Sequence, residues 1–118
     1  VYTSYFGNID NIDETEQISI SSRNPSGYTG GKYFPLAPHP SFLVPYLKGR
    51  TTKEQYTESY KTLVLDVLDP EEVYKHLLVI GGENACLLCY EQPGEFCHRR
   101  LVADWFKEKL GIDIPEKV

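Results

Sequence analysis

Three short runs of β-branched, aromatic or apolar residues and three longer stretches with a three- and four-residue apolar rhythm organise this chain. Residues 1–6 (VYTSYF) read as a strand closed by Gly7-Asn8. Residues 16–21 (EQISIS) alternate, with Ile18 and Ile20 on one face, and predict a second strand. Residues 84–90 are almost wholly apolar, the pattern of a central strand covered on both sides. Thr52 and Gln55 fit a capping box, and behind them Tyr56, Tyr60, Leu63, Val64, Val67 and Leu68 form the stripe of an amphipathic helix. Asp69-Pro70-Glu71-Glu72 restarts a helix that Gly81-Gly82 ends. The last helix runs from about Cys97 to Leu110, with Leu101, Val102, Trp105, Phe106 and Leu110 inward and Gly111 just past its end.

Between the second strand and the first helix lies a turn-forming cluster, residues 22–27, and then an irregular segment, 28–45, with four prolines and several aromatics. A loop of that length is usually functional or disordered, and its aromatics argue against disorder. It is also where a fourth strand has room to hide. Strands followed by helices predict a small three-layer α/β domain, its mostly parallel sheet flanked by helices. At 118 residues the chain holds one core and one domain.

A net charge of −5 disfavours loose binding to long nucleic acid through its phosphates. It leaves room for one small anionic ligand at a local cationic cluster, because only nearby charge matters. No apolar run in the sequence is long enough to cross a bilayer, and the opening residues show no basic-then-apolar secretion pattern. Three cysteines without disulfide-rich spacing favour a reducing, cytoplasmic setting.

All three cysteines fall within residues 86–97, beside His98, Arg99 and Arg100. Strand alternation puts Ala85, Leu87, Cys89 and Glu91 on one face and Cys86, Leu88 and Tyr90 on the other. Cys89 and Glu91 therefore emerge together at the carboxyl end, while Cys86 reads as a small buried hydrophobe. Cys97 at a helix start, beside two cations, has the setting of a reactive thiolate, or else packs its sulfur under the preceding loop. Arg99 offers a planar fork to a carboxylate or phosphate, unless it is tied to Glu91 or Glu95. His98 serves as base, metal ligand or structural donor.

Cys89, Cys97 and His98, with Glu91 as a fourth, offer zinc-type ligands, but the spacing disfavours a site. Cys86 and Cys89 fall on opposite strand faces, no second pair follows, and adjacent Cys97 and His98 diverge on a helix. A Cys89–Cys97 disulfide is conceivable, because strand end and helix start lie close. No nucleotide-loop, hydrolase-elbow or metalloprotease motif occurs, so no cofactor and no metal is expected. Gly30-Gly31 reads as turn chemistry and not as a phosphate cradle.

Leu-Leu-Cys89-Tyr-Glu91 followed by Phe-Cys97-His98-Arg99-x-Leu101-Val-Ala103 resembles the signature of the bacterial, archaeal and phage family called domain of unknown function 488. The opening Tyr2-Thr-Ser-Tyr-Phe, Ile-Ser-Ile-Ser with Arg23 and Pro25, Tyr28-x-Gly30 and Leu36-Ala-Pro38 resemble its shorter members. The resemblance spans nearly the whole chain. It implies an α/β domain in which Cys89, Glu91, Cys97, His98 and Arg99 line a site, and it implies no particular reaction.

Three functions follow as expectations. In the first, Arg99 and the helix start hold the phosphate of a nucleotide or nucleic-acid-related ligand, with Arg23 nearby and Tyr5, Tyr28 or Tyr33 stacking on a base. In the second, Cys97 or Cys89 does thiol chemistry, with Glu91 or His98 moving protons. In the third these residues bind one another, and the domain is an interaction module.

Overall fold

The computed structural model describes residues 1–117. Its strands are β1 (Tyr2–Tyr5), β2 (Gln17–Ser19), β3 (Gly31–Lys32) and β4 (Cys86–Cys89), all parallel, in the order β1-β4-β2-β3. The apolar 84–90 run is indeed central. β4 lies between β1 and β2, with Leu87 opposite both Thr3 and Ile18. The α-helices are α1 (Pro40–Leu47), α2 (Lys53–Leu63), α3 (Pro70–Gly81) and α4 (His98–Leu110).

Strand alternation divides the interior in two. Ile18, Ile20, Ala85 and Leu87 meet residues of all four helices, among them Tyr60, Leu77, Val102 and Phe106. Each large apolar side chain sealed there contributes about 1.5–3 kcal/mol. Cys86 and Leu88 point the other way, onto Phe6 and Ile12. That second face is covered by a 3-10 turn, Phe6–Asn11, and by loop residues, so the expected third layer of helices is absent among the described residues. The turn and the short connection to β2 are too brief and too rich in Gly, Asn and Asp for an α-helix.

The fourth strand does sit in the segment read as irregular. Gly31 lets it approach: a β-carbon there would stand 2.9 Å from the Gln17 carbonyl oxygen and 2.9 Å from Ile80. α1 follows in the same segment, starting with Pro40 and carrying Pro45 internally. α2 opens on the expected capping box of Thr52 and Gln55 but stops at Leu63, short of the predicted stripe. Leu63 and Val67 are exposed, while Val64 and Leu65 turn inward through a 3-10 turn that brings the chain to Asp69 and Pro70. Asp69 caps α3 by accepting from the Glu71 and Glu72 amides, and Gly111 ends α4 in the left-handed region at φ 68°.

Beyond α4 the chain returns to the sheet edge. Thr3 pairs with Glu116 in parallel sense, its amide donating to the Pro115 carbonyl and its carbonyl accepting from Lys117. Glu116 is thereby delivered beside the amino end of α4.

Candidate functional site

The carboxyl ends of β2 and β4, the amino end of α4, and α1 enclose a cavity of about 620 Å³. This is where open parallel sheets generally receive ligands. The loop after β2 contributes Ser21, Ser22 and Arg23, and it is braced by a hydrogen bond from Ser19 to Asn24. β4 runs out into Tyr90 and Glu91. Phe96, Cys97 and His98 come from the α4 end, and Leu43, Tyr46 and Leu47 from α1, with Tyr56 of α2 beside them. Phe96 meets Tyr46 and Tyr56 edge-on, with ring centroids 5.8 and 5.4 Å apart, which makes one wall aromatic. Arg23 is exposed and is the cation in this lining.

Cys97 caps α4 in an extended conformation, φ −150° and ψ 145°. Its side chain therefore does not follow the helical 100° step, and its sulfur lies 3.8 Å from His98 Nδ1. The same sulfur is bonded to Cys89, so the disulfide conceivable from the sequence is formed, and Cys97 carries no free thiol in this state. Cys89 and Cys97 are both almost sealed.

His98 is buried, with Nε2 2.7 Å from the Ile20 carbonyl oxygen. A carbonyl only accepts, so Nε2 carries the proton and Nδ1 presents a lone pair toward the sulfurs. Burial pulls the His98 pKa down to about 4; the Ile20 bond opposes this and the Arg99 charge reinforces it. The ring is neutral at physiological pH.

Arg99 does not face the cavity. It is fully buried, with Nε and Nη2 donating to the Glu116 carboxylate at 3.0 and 2.7 Å. Nη1 donates to the Glu91 carbonyl at 2.7 Å and to Cys89 Sγ at 3.1 Å. Arg99 is thus a structural tie, as its alternative reading held, but to a different acid. Burial alone would raise the Glu116 pKa; the bonds from Arg99 and Thr3 outweigh it and hold the carboxyl below its usual range. Arg100 reinforces the knot by donating to Thr3 Oγ1 and the Ile114 carbonyl, both at 2.8 Å.

The predicted tyrosines fall elsewhere. Tyr5 covers Gly7 outside the cavity lining, and Tyr33 donates to or accepts from His76 Nδ1 at 2.8 Å. Tyr28 lines a smaller hollow with Phe6, Pro25 and Tyr90, its hydroxyl donating to the Gly31 carbonyl. The aromatic wall of the main cavity comes instead from Tyr46, Tyr56 and Phe96, residues that the sequence presents only as helix and loop apolar positions. Cys86 is buried on the far sheet face, its thiol pushed up to about 11 mainly by burial.

Fold and site together define a small parallel α/β domain with a sulfur-floored cleft at the carboxyl edge of its sheet. The chain belongs to the DUF488-N3a family, described as the active DUF488-N3 subclade, whose pattern matches residues 1–110. The match ends before Glu116. Neither a curated protein nor a solved structure matches the chain significantly. No helix among the described residues is long and apolar enough to cross a membrane.

Proposed function

We propose that the cleft binds a small ligand joining a flat ring system to an anionic group, of nucleotide or nucleic-acid-derived type, in a reducing cytoplasmic setting. One observation carries this reading: an aromatic wall of Tyr46, Tyr56 and Phe96 shares a cavity of about 620 Å³ with the exposed Arg23 guanidinium. Cavities of about 300–1,000 Å³ with a few placed polar groups are the usual size for such ligands. An arginine fork suits phosphate, and the amino end of a thirteen-residue helix on the same cavity favours negative charge. The ring and the anion are assigned to different residues from those expected, with Arg23 taking the role given to Arg99. Thermal unfolding with nucleoside mono- and diphosphates tests the reading. A rise in Tm that disappears in Arg23→Ala supports it, and no rise with any of them rejects it.

A second reading, thiol-disulfide chemistry, is favoured by the bonded Cys89–Cys97 pair, whose Cys97 lines the cleft. With the pair reduced, the Cys97 thiol proton passes to water in the cleft, and the thiolate attacks one sulfur of a small disulfide substrate, expelling the other half as a thiolate that takes up a solvent proton. Cys89, supported by Arg99, then attacks Cys97 and expels the remaining half. The substrate gains two electrons and becomes two thiols, and the protein is left in the bonded state seen here. The family's description as active accords with chemistry at this pair.

A further inference from the structure

We propose that the reduced protein binds one thiophilic divalent cation, with Zn²⁺ as the reference case, through Cys89 Sγ, Cys97 Sγ and His98 Nδ1. The three donor atoms all lie within 4.8 Å of one another. Ligand bonds of about 2.0–2.3 Å put neighbouring donors about 3.3–3.8 Å apart in a tetrahedron. Cys97 Sγ and His98 Nδ1, at 3.8 Å, already stand at that edge. Adjacent helical residues diverge, an objection to a Cys97–His98 ligand pair. It does not apply, because Cys97 is extended and only His98 is helical.

The Cα atoms of Cys89 and Cys97 are 7.4 Å apart, wider than the about 4.4–6.8 Å of most disulfides. Once the bond is reduced, the sulfurs can draw apart by side-chain rotation, and a cation has room between them. The surroundings are those a ligand set uses. His98 Nε2 donates to the Ile20 carbonyl, which fixes the ring and leaves Nδ1 for the cation. Arg99 Nη1 donates to Cys89 Sγ and steadies a thiolate there. Two thiolates balance a doubly positive ion, so the corner gains no net charge beside the Arg99–Glu116 pair.

Three protein ligands leave a position open, the mark of reactive and not purely structural zinc. Cys97 and His98 line the cleft with Glu91, so that position is reachable by water or by a bound ligand. Cation and disulfide exclude each other. Two equivalents of a small thiol break the Cys89–Cys97 bond, form their own disulfide and leave two protein thiols. The entering cation replaces the two thiol protons, which pass to solvent. A disulfide oxidant reverses the sequence and releases the ion.

The proposal stands apart from the nucleotide reading, and its test needs no nucleotide. The full chain is reduced, cleared with a chelator and titrated with Co²⁺ under argon. The expected result is one equivalent bound, with a thiolate-to-cobalt charge-transfer band that Zn²⁺ abolishes. Disulfide-bonded protein gives no band, and Cys86→Ala behaves as the native chain. Cys97→Ala, checked for folding by circular dichroism, binds weaker by more than the about 10–100-fold that loss of an outer partner costs. Reduced native protein without a charge-transfer band overturns the proposal, as does an unchanged band in folded Cys97→Ala. Arg23→Ala leaves the band intact, which separates failure here from failure of the nucleotide reading.

Discussion

Two sides of one helix start behave in opposite ways. Cys97 and His98 present sulfur and imidazole to a cleft, whereas Arg99, the next residue, is sealed behind them against Glu116. The difference arises from one step of backbone. An extended cap turns Cys97 to the cleft, and the helical step of about 100° from His98 to Arg99 carries the guanidinium behind Cys89 and onto Glu116. A run of chemically rich residues is therefore not a single site: its cation builds the wall on which its sulfur and imidazole stand.

The sealed side gives the largest expected effect. Glu116→Ala strands a fully buried guanidinium, and loss of one partner of such a pair costs about 3–5 kcal/mol. Urea unfolding measures it. The double change Arg99→Met with Glu116→Leu removes both charges and should lose less than Glu116→Ala alone. A cost near zero for Glu116→Ala would show that the knot is ornamental and dissolve the contrast between the two sides.

Acid sharpens the comparison at His98. In metal-free, disulfide-bonded protein the folded imidazole resists protonation until about pH 4, whereas the unfolded one protonates near its ordinary value of about 6.5. Between those values the unfolded chain binds more protons, so stability rises with pH through the window and His98 adds nothing further above it. The span corresponds to about 3 kcal/mol. Glu116 adds a loss of the same sign at lower pH, because its depressed carboxyl stabilises the fold until it is protonated. The difference between native and His98→Asn stability curves isolates the imidazole; parallel curves would remove His98 from the buried neutral state assigned here.

How far the sequence shows this follows from which interactions are local. The unbroken apolar run at 84–90 marks a central strand, and the alternation of side chains along it sorts Cys86 from Cys89. The Thr52–Gln55 box, the Asp69-Pro70 start and Gly111 were equally plain, since each is decided within four residues. What stayed hidden depends on distant partners. β3 is two residues long and exists because Gly31 fits against Gln17 and Ile80; α1 was masked by Pro45. Arg99 needed an acid, and the nearby Glu91 and Glu95 looked sufficient. The true partner arrives only because the tail pairs with Thr3 at the sheet edge. Within the cleft, Tyr46 and Tyr56 carry no mark that separates a ligand wall from a core stripe.

The thiols offer a smaller, graded contrast across the sheet. In reduced native protein, iodoacetamide should modify Cys97, which lines the cleft, well ahead of Cys86, which is fully buried on the far face with its thiol held near 11. Mass mapping of early labelling reads the order. Equal rates would mean that the cleft gives its sulfur no advantage, and the thiol reading would lose its support.

The smallest expected change in stability falls at the cleft mouth. Arg23 is exposed, and its loop is braced by Ser19 and Asn24, not by its own guanidinium. Arg23→Ala should therefore shift stability by less than about 0.5 kcal/mol. In contrast to Glu116→Ala, it should abolish the Tm rise given by nucleotides while leaving unfolding in buffer alone unchanged. Tyr33→Ala, remote from the cleft, should keep that rise whatever it does to stability. If Arg23→Ala unfolds the chain as Glu116→Ala does, both sides of the helix start are structural and the cleft has no cation to offer. If it keeps the nucleotide response, the anion is held elsewhere and the cleft's charge assignment fails.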